Sequence, residues 1–223
     1  DEGQEPGDNI SDEQILRKLN IIKPYIKWIR TFSCTEGNEK IPVLAKQLGL
    51  KTLVGAWLSD NKLTNEKEIN GLISLCKSGH VDVAGVGNEV LYRKEMSETE
   101  LIDYINLVKK EIGNIPAGYV DAYYEFSSRP ELSDSCDVIL ANCYPYWEGC
   151  SLEYSLMYMK QMYFEAKAAG KGKKVIITET GWPSQGASLR GQSKTRPAMY
   201  QAKVGGVFKR EPCAYWIFHD CKS

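Results

Sequence analysis

The sequence has almost no charge imbalance, very few histidines and no long apolar run. Its 28 Lys and Arg stand against 29 Asp and Glu, for a net charge of -1. Nucleic acids and anionic membrane surfaces reward a strong basic excess, so no nucleic-acid partner is expected. No apolar stretch approaches the roughly 20 residues that a helix needs to cross a bilayer, and no membrane-spanning segment is expected. Residues 1–10, DEGQEPGDNI, are acidic and turn-like. That is the opposite of the basic and then apolar start of a secretory signal, which a mature secreted chain would lack in any case.

Metal-binding patterns are missing as well. The two histidines, His80 and His219, lie far apart, and none of the seven cysteines (34, 76, 136, 143, 150, 213, 221) stands in a C-x-x-C pair or at zinc-finger spacing from a histidine. Neither a metal site nor a cofactor is expected. An odd number of cysteines leaves at least one thiol unpaired. Cys136 and Cys143 bracket the apolar stretch VILAN, where cysteine acts as a small buried hydrophobe. Buried thiols are expected over a disulfide framework in a chain of this size. There is no internal repeat and no low-complexity segment.

What the sequence does have is an ordinary globular composition, 43% hydrophobic and 26% charged, arranged in regular alternation. Short apolar, β-branched runs fall at 27–32, 51–57, 81–86, 117–122, 137–142, 174–178 and 213–218. Several are continuously apolar, as parallel strands buried on both faces are. Between them the helices have legible ends. Ser11 and Gln14 form a capping box ahead of a stripe of Ile15, Leu19 and Ile22, and Pro24 stops that helix. Ser97 and Glu100 repeat the device ahead of Leu101, Ile105, Val108 and Ile112, with Gly113 as C-terminal cap. Helices over 36–48, 65–77 and 152–169 end at Gly49, near Gly79 and at Gly170.

Strand, helix and strand in succession mean βαβ units and a parallel sheet. A doubly wound sheet satisfies the alternation but usually carries a Gly-rich phosphate turn after its first strand, and there is none. The pattern favours a (β/α)8 TIM barrel over 1–223 as a single catalytic domain.

In such a barrel the chemistry sits at the C-terminal ends of the strands, and two segments end in a glutamate. One is VAGVGNEV, with Asn88 and Glu89; the other is VIITETGWP, with Glu179 and Trp182. A carboxylate directly after an apolar run is costly to bury without a partner. A single one is explained by a helix cap or an ion pair; two, one beside an amide and one beside an indole, point to catalysis. Glycoside hydrolysis needs two carboxyl groups flanking the scissile bond, one protonated and one ionised, with hydrogen bonds to the 2-hydroxyl. Tyr144, Tyr146 and Trp147 follow another strand end and either line a cleft or pack. Trp57 and Arg30 stand near strand ends with the same two options, and Asp121 reads as a structural acid.

The segments VGNEV and ITETGWPS, with YPYW between them and IRTFSC and LVGAWL upstream, resemble glycoside hydrolase family 17 from about residue 3 to residue 185. The resemblance implies a (β/α)8 barrel acting on β-1,3-glucan, as hydrolase or glucanosyltransferase. It implies a retaining double displacement with Glu89 as acid/base and Glu179 as nucleophile, their carboxyl groups about 5–5.5 Å apart. Asn88 matches the asparagine before the acid/base in the wider barrel glycosidase clan, and Tyr144 the family's tyrosine near the nucleophile. Tyr146, Trp147 and Trp182 complete the expected substrate-binding set. The substrate would be a β-glucan polysaccharide or oligosaccharide, and a secreted, periplasmic or cell-surface location is implied. The family's first strand lies upstream of the stretch that residues 1–10 resemble, and no sequence follows the eighth strand to build a last helix. The barrel is therefore expected to be incomplete, truncated at both ends. The segment 187–212, with six basic residues and one acid, departs from the family pattern and reads as a solvated helix face. A degenerate barrel that only binds carbohydrate is the alternative of a different class.

Overall fold

A computed structural model describes residues 10–182. The expected strand at 213–218, the segment 187–212, His219, Cys213 and Cys221 lie outside these residues. The chain divides into two compact units, Asp1–Tyr119 and Val120–Ser223.

The first unit opens with α1 (Asp12–Ile22), whose capping box is present in both directions: Gln14 N–H donates to Ser11 Oγ and Ser11 N–H to Gln14 Oε1. Ile15 and Leu19 are buried against Leu44, Ala45 and Leu50. Ile22, expected in the same stripe, is 40% exposed, because the chain leaves the helix there into a 3-10 turn over Lys23–Tyr25 containing Pro24. Three parallel strands follow, β1 (Trp28–Thr31), β2 (Lys51–Ala56) and β3 (Val83–Asn88). They pair in chain order, with Thr31 opposite Val54 and Ala56 opposite Val86. Between them run α2 (Lys40–Gln47) and α3 (Lys62–Lys77), and α4 (Glu98–Ile112) comes after β3. β4 (Ala117–Ala122) begins in this unit, beside β3 through the Ala84 N–H to Pro116 carbonyl bond of 3.0 Å.

Helix ends follow local chemistry. Asn61 Oδ1 accepts from the N–H groups of Leu63 and Thr64, so α3 starts three residues earlier than its apolar pattern does. Helix α2 starts later than expected, since Glu36 and Gly37 take positive φ values of 55° and 89° and turn the chain first. Ser97 Oγ accepts from Glu100 N–H, and Gly113 closes α4 at φ 66°. Leu72, Leu101 and Ile105 are wholly buried, each contributing about 1.5–3 kcal/mol by removal from water.

In the second unit β4 pairs with β5 (Val138–Asn142), and β5 with β6 (Lys174–Glu179), all parallel. Two short helices, α5 (Tyr123–Ser128) and α6 (Pro130–Ser135), fill the β4–β5 connection, and α7 (Ser155–Ala169) fills the next. Gly170 does not cap α7 by a left-handed turn, as expected. Its φ is -73°, and a Cβ there would stand 3.0 Å from Ile139 Cγ1, so this glycine sits where helix and strand pack closely. The turn falls to Lys171 and Gly172 at φ 49° and 92°. No helix among the described residues is long and apolar enough to cross a membrane.

The five described cysteines are free thiols, with Cys34, Cys76, Cys136 and Cys143 buried and Cys150 half-buried. Burial pushes the Cys76 thiol up from 9.0 to about 12, because the thiolate loses its hydration. A raised folded-state value means that the neutral thiol's contribution is complete below about pH 9 and is lost as pH rises towards 12. Unfolding in urea at pH 8 and pH 11 should show a smaller loss of stability for Cys76→Ala than for the parent protein; equal losses would contradict this account. Packing gives a second expectation. A Cβ at Gly71 would lie 2.8 Å from the Cys34 carbonyl oxygen and 2.9 Å from its Cβ. Gly71→Ala should therefore lower the urea midpoint by an equivalent of about 1–3 kcal/mol, and an unchanged midpoint would disprove the close approach of α3 to this loop.

Candidate active site

The C-terminal ends of the strands carry the residues singled out by sequence, and each unit builds its own cluster.

In the first unit β3 ends Gly87-Asn88-Glu89. Gly87 takes φ 82°, and Glu89, directly after the strand, takes φ 53°. That left-handed value is uncommon for a residue with a Cβ and costs of order 1 kcal/mol or more. The turn is held in three ways: Arg93 N–H donates to the Glu89 carbonyl at 2.8 Å, Leu91 N–H donates to Tyr119 Oη at 2.9 Å, and the Arg93 guanidinium donates to the Asn88 carbonyl. The strand end thus re-aims Glu89, which is half-buried, out of the strand's alternation.

Asn88 is 7% exposed, and its Oδ1 accepts from Arg30 Nη2 at 2.5 Å. Arg30 comes from β1 and lies over the Phe32 ring at 4.2 Å. A guanidinium only donates, so it fixes which end of the amide is the oxygen and directs the Asn88 NH2 elsewhere. The sequence left Arg30 between packing and function; its contact with the asparagine beside Glu89 gives it a definite place.

Two residues of this cluster escaped the sequence reading. Glu68 stands in the buried stripe of α3 with Asn65, Ile69, Leu72 and Cys76 and is 2% exposed. Its Oε1 accepts from Ser33 Oγ at 2.6 Å and Thr35 Oγ1 at 2.5 Å, and its Oε2 from Cys34 N–H at 2.8 Å and Trp57 N–H at 3.0 Å. The loops after β1 and β2 are tied together by one carboxylate. An acid at an i, i+4, i+7 core position was the signal, and it went unread. Arg93 is the other. Besides Asn88 it reaches the Leu58 carbonyl at 2.8 Å and Glu95 at 2.7 Å, and its guanidinium lies 4.6 Å from the Trp57 ring centre. Its hydrogen bond holds the Glu95 carboxyl below the usual range.

In the second unit Glu179 is the last residue of β6 and 7% exposed. Tyr144 Oη donates to Glu179 Oε2 at 3.0 Å, and Cys143 N–H donates to the Glu179 carbonyl at 2.8 Å. An irregularity in the β5–β6 register puts Asn142 opposite Glu179, and Thr178 Oγ1 donates to Asn142 Oδ1 at 2.7 Å. The expected neighbour of the carboxylate is therefore Tyr144.

The three other aromatics differ from one another. Tyr146 and Trp182 are each 2% exposed and meet edge to face, with ring centres 5.2 Å apart. Trp147 packs edge-on against Tyr146 at 5.1 Å and keeps 46% of its surface exposed. The adjacent Glu148 accepts from Tyr158 Oη at 2.7 Å and Tyr123 Oη at 3.1 Å, and burial beside this carboxylate pushes the Tyr123 hydroxyl well above its ordinary value. Asp121, wholly buried at the end of β4, accepts from Ala122 N–H at 2.7 Å, in keeping with a structural acid. No group of three or more His, Cys, Asp or Glu among the described residues is placed to hold a metal ion.

Comparison with known proteins bears on the family and the fold. The chain is 28% identical over 217 residues to a probable glucan endo-1,3-beta-glucosidase of Aspergillus terreus, covering 88% of this chain and 33% of that protein. It is 27% identical over 194 residues to a glucan 1,3-beta-glucosidase of Candida albicans, covering 76% of this chain and 63% of that protein. The chain thus spans from a third to under two thirds of these relatives' length. Among solved structures, an active-site mutant of Rhizomucor miehei beta-1,3-glucanosyltransferase in complex with laminaritriose matches with a TM-score of 0.86 and 27% identity, over 97% of this chain and 84% of that one. The fold is accordingly that of a partial (β/α)8 barrel, and the likeness to glycoside hydrolase family 17 holds. A family profile described as the BtgE/BtgC glycoside hydrolase domain matches residues 2–214, so the chain belongs to that glycoside hydrolase family.

Proposed function

We propose that the protein is a retaining glycoside hydrolase that cleaves β-1,3-glucan, with Glu89 as acid/base and Glu179 as nucleophile. The observation that carries this reading is the pair of strand-end glutamates, each set in a built environment: Glu179 with a tyrosine hydroxyl on its carboxylate, and Glu89 on a left-handed turn beside an amide oriented by arginine. The relatives named for glucan 1,3-β-glucosidase activity support the substrate class.

In the first displacement Glu179 attacks the anomeric carbon while Glu89 gives its proton to the departing glycosidic oxygen. An ester between glucosyl unit and Glu179 results. In the second, Glu89, now a carboxylate, takes a proton from water, which attacks the same carbon and releases Glu179. The Tyr144 hydroxyl offers the carboxylate one donor; as the ester forms and charge leaves the oxygen, that donor is freed to follow the ring. Asn88, with its oxygen occupied by Arg30, presents its NH2 as donor to the sugar 2-hydroxyl, a contact that strengthens in the transition state. Tyr146 and Trp182 form the packed floor that holds Trp147 towards the substrate. No cofactor is required.

A glucanosyltransferase uses the same intermediate and replaces water by a sugar hydroxyl. The structural likeness to a beta-1,3-glucanosyltransferase favours testing this second reading. At high laminari-oligosaccharide concentration a transferase should yield products longer than the substrate, whereas a hydrolase should yield shorter ones only.

Two displacements retain configuration. Proton NMR of early digestion of a laminarin-type glucan should show the β-anomer first, and first appearance of the α-anomer would exclude the retaining assignment. Glu179→Ala should abolish turnover, and azide should restore it with an α-glycosyl azide as product, since a small anion fills the space of the lost carboxylate. Full activity without azide would remove Glu179 from the nucleophile's role.

A further inference from the structure

We propose that Trp57 is a stacking subsite for an uncharged glucosyl ring, held in position by Glu68 and Arg93; this rests on reading the strand ends as a β-glucan site. Ala56 pairs with Val86, so Trp57 stands level with Gly87, one and two residues short of Asn88 and Glu89 on the neighbouring strand. Adjacent strands lie about 4.8 Å apart, which puts the indole at the edge of the Glu89 turn.

Trp57 is 37% exposed, yet its surroundings hold it in place. The Trp57 backbone N–H donates to the buried Glu68 and fixes the main chain that carries the ring, the Leu58 carbonyl next to it accepts from Arg93, and the Arg93 guanidinium lies over the ring. That guanidinium is itself fixed on the Asn88 carbonyl and on Glu95. An aromatic ring ordered before any ligand arrives loses little freedom on binding, which is how preorganisation raises affinity.

The charges around it specify the ligand. All four acceptor positions of Glu68 are filled by donors from Ser33, Cys34, Thr35 and Trp57, so it calls for no cation. Arg93 is met by two carbonyls and a carboxylate, so it calls for no anion. What remains is the exposed part of a flat apolar ring, in a residue 37% open to solvent. A β-glucosyl unit presents its axial C–H bonds as an apolar face of matching size, and an aromatic surface beside a few placed polar groups is the usual construction of such sites. Glu68 never meets the sugar; it is a positioning residue acting through Trp57.

The test is calorimetric titration of laminarihexaose into the Glu179→Ala protein, with turnover by the parent protein measured separately. Trp57→Ala should raise Kd about tenfold, and Trp57→Phe should recover most of that. Glu68→Gln should raise Kd several-fold with Trp57 present and have no further effect in the Trp57→Ala background, since both changes remove one contact. Unchanged Kd in a Trp57→Ala protein of normal melting temperature overturns the subsite, and additive effects of the two substitutions overturn the positioning role. Turnover by the parent with Kd unmoved refutes the subsite and leaves the hydrolase standing. Loss of binding in Trp57→Ala without turnover by the parent upholds the subsite and refutes the hydrolase.

Discussion

A carboxylate taken out of water must be met by donors, and that requirement organises the strand ends of this protein. Glu68, 2% exposed, is surrounded by two hydroxyls and two backbone N–H groups. Each such charge-assisted bond is about twice as strong as a neutral one, and together they offset a desolvation cost of several kcal/mol. The consequence is positional. The loops after β1 and β2 are fixed to one helix, Arg93 fixes the next loop to the second of them, and Arg30 crosses from β1 to Asn88. Glu179 obeys the same rule with Tyr144, and Glu148 with Tyr123 and Tyr158.

The alternation of apolar runs and capped helices was legible because it is local. Buried parallel strands read as β-branched runs, and Ser11 and Ser97 mark helix starts by their own hydrogen bonds. All six described strands fall within or beside the segments expected for them. The two short helices between β4 and β5 were missed, since six residues span too little of a helical period to show a stripe, and neither has a side-chain cap. Gly170 was misread for a related reason: a glycine after a helix signals a left-handed cap, but this one answers to Ile139, a contact distant in sequence.

The site divides in the same manner. Glutamates at the ends of apolar runs are visible in sequence, and so is the tyrosine at a strand end. The contacts that orient them are not, because they join residues separated by 58 positions in the case of Arg30 and Asn88 and 35 in that of Tyr144 and Glu179. Among the aromatics, sequence offers no measure of exposure. Trp147 and Trp57 present surface to solvent, while Tyr146 and Trp182 are packed on one another.

The proposed mechanism is covalent, with Glu179 carrying the glucosyl unit between two displacements and Glu89 handling the proton in both. A glucan-derived 2-deoxy-2-fluoro glycoside with an activated leaving group slows both steps, and the good leaving group lets only the first proceed at a useful rate, so the intermediate accumulates. Mass spectrometry of the peptic digest should find the fluoroglycosyl group on the peptide containing Glu179, as an ester of that side chain. A label on any other residue, or steady turnover of the probe with no label at all, would contradict the account.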